Sequence, residues 1–306
     1  MRERPVALLN SGGQYKAVVR RFTEAIGRHM DRPIYATEPV PGAFNVHFFR
    51  HYLDRGKPRQ HPDMYIAHGW NQKLTAKHRG AFRAYDLFHY SGVVGKVDRT
   101  YLESQGIEPE RLITVGHPGM DTVLNGEVEP MPLGEKPRLV IAFSHQSFIT
   151  IWNGMPNAFK RRLADEFDVI EILHPIYVDR TEHFGLARDW LQGASVCYTD
   201  ISGTMFEAWA LGVPVVFPTF AQVSKDMKFL RGMPLYRVYK ECIGYHVLRS
   251  VDMMPATRLA AKEGMTERET AFIDDYFPKE LRGRSGEVAA GAITKLAREE
   301  EKGKGR

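Results

Sequence analysis

Val196-Cys197-Tyr198-Thr199-Asp200-Ile201-Ser202-Gly203-Thr204-Met205-Phe206-Glu207-Ala208-Trp209-Ala210-Leu211-Gly212-Val213-Pro214-Val215-Val216 is the stretch that decides the fold. A short apolar run ends in small hydroxylated residues and a glycine. A helical stretch follows at once and stops at Gly212, and a second apolar run begins near Pro214. Strand, tight turn, helix and strand in so few residues is the signature of a parallel α/β unit. Gly212 is placed as the helix C-cap because glycine accepts the left-handed conformation that ends a helix.

The same rhythm extends in both directions. Upstream come Leu139-Val140-Ile141-Ala142-Phe143, closed by Ser144-His145, and Val169-Ile170-Glu171-Ile172-Leu173, closed by His174-Pro175. Helical stretches fall between them at 158–167 and 183–191. In the first half, Val6-Ala7-Leu8-Leu9 precedes Ser11-Gly12-Gly13, and apolar positions at helical spacing follow at Tyr15, Val18, Val19, Phe22 and Ile26. Met64-Tyr65-Ile66-Ala67, Leu87-Phe88-His89-Tyr90 and Leu112-Ile113-Thr114-Val115 read as further strands, each ending in Gly, Ser, His or Pro. Periodicity lapses around 131–137, where Pro132, Gly134 and Pro137 sit. The expected organisation is an α/β protein of two Rossmann-like domains with parallel sheets facing a central cleft. Residues 1–132 form an acceptor-side domain, 137–282 a nucleotide-donor domain, and 283–306 a terminal helix with a frayed tail.

Composition sets outer limits. The 306 residues are 43% hydrophobic and 26% charged, an ordinary balance for packed cores. Two cysteines exclude a disulfide scaffold and a cysteine-rich metal site. No apolar run reaches the roughly 18 residues needed to span a bilayer, so the expected location is cytoplasmic, with peripheral attachment to a membrane left open. The net charge of +5 favours anionic partners.

The chemistry concentrates at strand ends. Backbone N–H groups of the helix starting at Gly203 carry partial positive charge, and glycine lets a phosphate approach. Ser202 and Thr204 offer hydroxyls, and Glu207, one turn in, can accept from a ribose hydroxyl. The alternative is that Asp200 and Ser202 only cap the helix. His174 at its strand end can donate to phosphate. Ala67-His68-Gly69 places His68 as a general base for an acceptor hydroxyl, because an imidazole titrates near neutrality, with Lys73 facing phosphate charge. His68 and His174 each also read as structural histidines. Gly12 and Gly13 shape a cleft floor, and His117 ends another strand. No metal is expected, since neither HExxH nor paired Cys/His spacing is present. No cofactor is expected beyond the donor itself.

Together these segments resemble the CDP-glycerol glycerophosphotransferase family, the teichoic-acid polymerases and primases of the GT-B superfamily. The likeness covers residues 65–217. It rests on His68-Gly69 with Lys73, on Gly116-His117-Pro118-Gly119-Met120-Asp121, on His174-Pro175, and on the Thr199–Val216 run. Departures are Gly203 for the family's second serine, Gly119 for its arginine, Ala67 for a tryptophan, Trp70 for a threonine, and Phe143-Ser144-His145 for a Pro-Thr-Trp-type strand end. The resemblance implies transfer from a CDP- or UDP-linked nucleotide-diphosphate donor to an acceptor hydroxyl. His68 would be the base, and His174, Ser202 and Thr204 would hold the diphosphate, with Ser144 and His145 on the same side. The acceptor would be a polyol phosphate, a glycan or DNA. The Asp-x-Ser-Gly…Glu-Ala…Leu-Gly-x-Pro-Val run is also similar to UDP-GlcNAc 2-epimerases. An isomerase and an inactive nucleotide-binding module are the alternatives.

Overall fold

The computed structural model describes residues 4–10, 16–48, 63–67, 85, 88–143, 151–172, 186–200, 202–221 and 233–304. The chain forms two compact units. One comprises Met1–Asn125 with Asp275–Arg306, the other Gly126–Asp274.

The described strands of the first unit are β1 (Val6–Leu9), β2 (Ile34–Ala36), β3 (Phe44–His47), β4 (Met64–Ile66), β5 (Tyr90–Val93) and β6 (Leu112–Thr114). They form one parallel sheet in the order β2-β1-β3-β4-β5-β6. Helices α1 (Lys16–Gly27), α2 (Lys96–Ser104) and α3 (Asp121–Leu124) come from the N-terminal part. Helix α1 buries Val18, Val19, Phe22, Ala25 and Ile26. These positions recur at three- and four-residue intervals and so share one face.

Two expectations shift here. The strand expected at 87–90 is displaced to Tyr90–Val93. Arg111 takes the backbone carbonyls of Tyr85, Phe88 and His89 on its guanidinium, at 3.0, 2.5 and 3.3 Å, so this segment's carbonyls are drawn away from a ladder. Gly92 then lies inside the strand rather than after it. A Cβ there would meet Ile66 Cγ1 at 2.8 Å and Val115 Cγ2 at 2.9 Å, closer than packed side chains tolerate. The C-terminal tail is likewise helical rather than frayed over most of its length.

The second unit carries β7 (Arg138–Ile141), α4 (Asn157–Glu166), β8 (Asp168–Glu171), α5 (Ala187–Leu191), β9 (Val196–Tyr198), α6 (Gly203–Ala210), β10 (Val215–Phe217), α7 (Tyr236–Lys240), β11 (Tyr245–His246) and α8 (Met253–Glu263). Its five strands are parallel in the order β11-β10-β9-β7-β8. Leu139, Ile141, Trp152, Leu163, Val196, Tyr198, Val216 and Met253 share one buried cluster on this sheet. The chain enters this unit at Gly126, earlier than the expected linker at 131–137. Arg138, 1% exposed, explains the difference. Its guanidinium binds the carbonyls of Met131 and Pro132, and also those of Trp190 and Gln192, tying the proline-rich segment into the second unit.

The chain returns to the first unit within α9 (Glu267–Tyr276), and α10 (Ser285–Lys304) follows. Helix α10 packs against α1 and β1 of the first unit and buries Ala289, Ala290, Ile293, Leu296 and Ala297. Tyr90 Oη donates to Glu300 at 3.0 Å, fastening the region expected to fray. Residues 275–306 therefore belong to the first unit and form neither part of the second nor a separate tail.

Candidate functional site

In a parallel sheet, ligands bind outside the carboxyl ends of strands where the strand order reverses. In the second unit that point lies between β7 and β9. The chain proceeds from β7 outward to β8, then returns to the far side of β7 for β9. The segment following β9 is the Thr199–Gly203 turn, and the one following β7 leads to Ser144 and His145.

Hydrogen bonds fix this turn. Ala142 N donates to Tyr198 O at 3.0 Å, extending the β7–β9 pairing past its last register pair. Thr199, fully buried, donates its hydroxyl to Ala142 O at 2.6 Å. Its oxygen also lies 2.6 Å from Ser202 Oγ. The threonine proton is committed to Ala142, so Ser202 must be the donor of that second bond. Ser202 itself is extended, with φ −120° and ψ 163°, and its side chain does not cap α6. Its amide donates to Asp200 O at 2.8 Å. The arrangement turns the Ser202 hydroxyl away from a helix-capping role. Toward an anion the turn presents the start of α6, where Gly203 and Thr204 are both partly exposed.

Glu207 sits one turn further along, mostly buried. Its Oε1 lies 2.9 Å from Arg188 Nη2, and the two side chains are 11% and 4% exposed. Arg188 comes from α5, where Asp189 Oδ2 accepts from Leu186 N at 3.0 Å and secures the first turn. Glu207 also acts on the sheet beneath it. Burial chiefly, and then the Glu207 charge, push the Cys197 thiol well above its ordinary range.

The expected site residues thus divide. Ser202, Gly203, Thr204 and Glu207 come together at the start of α6. His68, His174, Ser144, His145, Lys73, Gly12 and Gly13 lie outside the described residues. His117 is placed in the packed interior of the first unit at 1% exposure. Its ring meets Phe22 of α1 edge-on, with centroids 4.9 Å apart, and its amide donates to Ser285 Oγ at 3.0 Å. Sequence reasoning missed Thr199 and Arg188. Thr199 was legible as part of the hydroxyl-rich turn. Arg188 lies fifteen residues before the helix start at Gly203 and carries no local signal. Among the described residues no cluster of three or more His, Cys, Asp or Glu side chains is arranged for a metal ion, and no helix is long and apolar enough to cross a membrane.

No family model and no curated protein matches the sequence. Solved structures do. The wall teichoic acid polymerase TagF superposes with a TM-score of 0.69 at 14% identity, covering 98% of this chain and 90% of that one. A TagF structure soaked with CDPG gives 0.68 at 16% identity, covering 97% and 90%. A UDP-N-acetylglucosamine 2-epimerase, so described as putative, from Listeria monocytogenes gives 0.60 at 11% identity, covering 97% and 98%. At such identities the likeness establishes architecture, and the conclusion is that this chain has the GT-B fold.

Proposed function

We propose that the protein is a transferase that takes a glycerophosphate or glycosyl group from a nucleotide-diphosphate donor and passes it to an acceptor hydroxyl, with a CDP-linked polyol as the preferred donor. The observation that carries this reading is the start of α6. Its first turn opens at the sheet's reversal point, and the Ser202 side chain at the N-cap position is directed to Thr199 rather than to the helix amides. A helix start arranged in this way attracts negative charge, and two linked phosphates supply it.

In this reading the donor diphosphate lies against Gly203 and Thr204, with His174, Ser144 and His145 as its other expected contacts. His68 accepts the acceptor's hydroxyl proton as that oxygen attacks the donor. A new bond to oxygen forms, the bond to the leaving phosphate breaks, and the charge that develops on that phosphate stays beside the α6 amides. Lys73 and the Gly12-Gly13 loop serve the acceptor. This reading gives His117 no part, since its ring packs on Phe22 and its amide is held by Ser285. TagF as a structural neighbour, including the form soaked with CDPG, favours a CDP-linked donor. A polyol phosphate is the acceptor that fits a basic chain best, and binding to a membrane or to DNA would appear as a steep loss of affinity with salt.

The Listeria epimerase neighbour supports a second reading, since it superposes with a TM-score of 0.60. The Ser202-Gly203 order in this turn also suits it. Thermal unfolding with CDP-glycerol, CDP-ribitol, UDP-sugars, GDP-sugars and pyrophosphate decides between them. A rise in melting temperature with the CDP compounds supports the transferase. Conversion of UDP-GlcNAc without an acceptor supports the isomerase. No response to any nucleotide or to pyrophosphate removes both. In the transferase, His68→Ala should abolish turnover while leaving donor affinity intact.

A further inference from the structure

We propose that Arg188 is a positioning residue of the donor site, holding the Glu207 carboxylate in a charge-compensated state so that it accepts from the ribose of the nucleotide. This inference rests on the donor reading above and extends it to a residue outside the strand-end motifs.

The argument begins with a conflict. Glu207 stands one turn from the amides assigned to the diphosphate. An uncompensated carboxylate there would repel the phosphates and would be costly to bury. Arg188 resolves both problems with a contact of 2.9 Å at 4% exposure. A guanidinium fixes a carboxylate in plane and in direction, which a lysine ammonium does not. The anchor is itself anchored. Asp189 binds the amide of Leu186 and so sets the first turn of α5, from which Arg188 projects. Helices α5 and α6 pack on one another, so the pair spans a short, defended distance. The result is a carboxylate held by Arg188, one turn behind the helix start assigned to the phosphates. The ribose of a nucleoside diphosphate held by that cradle lies within such a span, and its hydroxyls are donors suited to a fixed carboxylate oxygen.

A purely structural ion pair would affect stability and nothing else, so the test reads sugar discrimination. Binding of CDP and 2′,3′-dideoxy-CDP, of UDP and its dideoxy counterpart, and of pyrophosphate is measured by calorimetry on the full chain. The wild type should prefer the ribose form by about tenfold or more, the worth of one hydrogen bond to a charged group. Arg188→Lys keeps the charge but loses the planar fork, and should bring that preference close to one while pyrophosphate affinity stays within about twofold. Glu207→Gln, nearly isosteric, should do the same and serves where Arg188→Lys does not fold. Wild-type preference retained in both variants, or absent from the wild type, overturns the role of Arg188 and leaves the phosphate cradle standing. Failure of the wild type to bind either nucleotide or pyrophosphate instead removes the donor reading, and this inference with it.

Discussion

Two turns in this molecule look alike in sequence and do different work. Gly116-His117-Pro118-Gly119-Met120-Asp121 follows β6, and Thr199 to Glu207 follows β9. Each begins at a strand's carboxyl end, carries glycine and polar side chains, and leads into a helix. The first is consumed by packing. Asp121 accepts from the amides of Ser285 and Gly286 at 3.2 and 2.5 Å, capping the long helix α10. His117 N donates to Ser285 Oγ, which in turn donates to Leu281 O at 2.7 Å. In the second turn the N-cap residue, Ser202, gives its hydroxyl to Thr199 and not to its own helix. Sheet order accounts for the contrast. Strand β6 is an edge strand, where a turn is free to serve as an anchor for another helix, whereas β9 flanks the reversal point, where a crevice opens. A polar strand end therefore acquires its meaning from the rank of its strand in the sheet.

The largest effect that would sharpen this contrast comes from Gly116→Val. Gly116 has φ +76°, and a Cβ there would overlap Ser285 Oγ. Backbone strain and the displaced helix together should cost about 3–4 kcal/mol in urea unfolding. Nucleotide affinity of whatever remains folded should be unchanged. A mild effect on stability would mean the first turn is not the clasp described here.

A smaller effect of the same clasp appears in pH. Burial pushes the Asp121 carboxyl up from 3.8 to about 6, against the opposing influence of the Gly286 and Ser285 amides and of Arg28. Between those two values the folded chain holds a proton that the unfolded chain has released. Stability from this group is therefore fully present below pH 3.8 and is lost as pH rises through about 6. The span corresponds to roughly 3 kcal/mol at most. Urea unfolding of Asp121→Asn across pH 4–7 should lack this part of the slope, and an identical slope in variant and wild type would show that another group carries it.

The fold was largely legible because its signal is repetitive. Strands β1, β4, β6, β7, β9 and β10 carry apolar runs with turn residues after them, as a buried parallel strand requires, and the edge strand β8 (Asp168–Glu171) overlaps the run at 169–173. The missed strands lack that signal for particular reasons. Strand β2 is an edge of three residues with Ile34 and Tyr35 exposed, so its pattern is not that of a core strand. Strand β3 hides its burial behind polar residues. His47 Nε2 lies 3.0 Å from Asp63 Oδ2, and Asn45 donates to the other oxygen of the same carboxylate, a pairing that depends on a residue sixteen or more positions away. Helix α9 was readable in principle. Thr266 and Glu269 form a reciprocal cap, with Glu269 Oε2 accepting from Thr266 N at 2.7 Å and Glu269 N donating to Thr266 Oγ1 at 3.2 Å. That is the Thr-x-x-Glu signature of a helix start. At the candidate site the strand–turn–helix order was local and legible. Neither the diversion of the Ser202 hydroxyl to Thr199 nor the reach of Arg188 to Glu207 was, because both depend on how the chain packs.

The smallest energetic change gives the most direct test of the comparison. Thr204→Glu adds a carboxylate in the first turn of α6 at a partly exposed position. If this helix start is only a structural element, the new charge complements the helix dipole and stabilises the protein by about 0.3–1 kcal/mol, with no other consequence. If the turn holds phosphate, the same charge occupies the anion's place and repels it. Nucleoside diphosphate and pyrophosphate affinity should then fall about tenfold or more, an electrostatic loss near 1.4 kcal/mol, while the melting temperature stays level or rises. Stability and binding move in opposite directions only under the second description, so unchanged pyrophosphate affinity in a stable Thr204→Glu protein would reduce the β9 turn to the same structural status as the β6 turn.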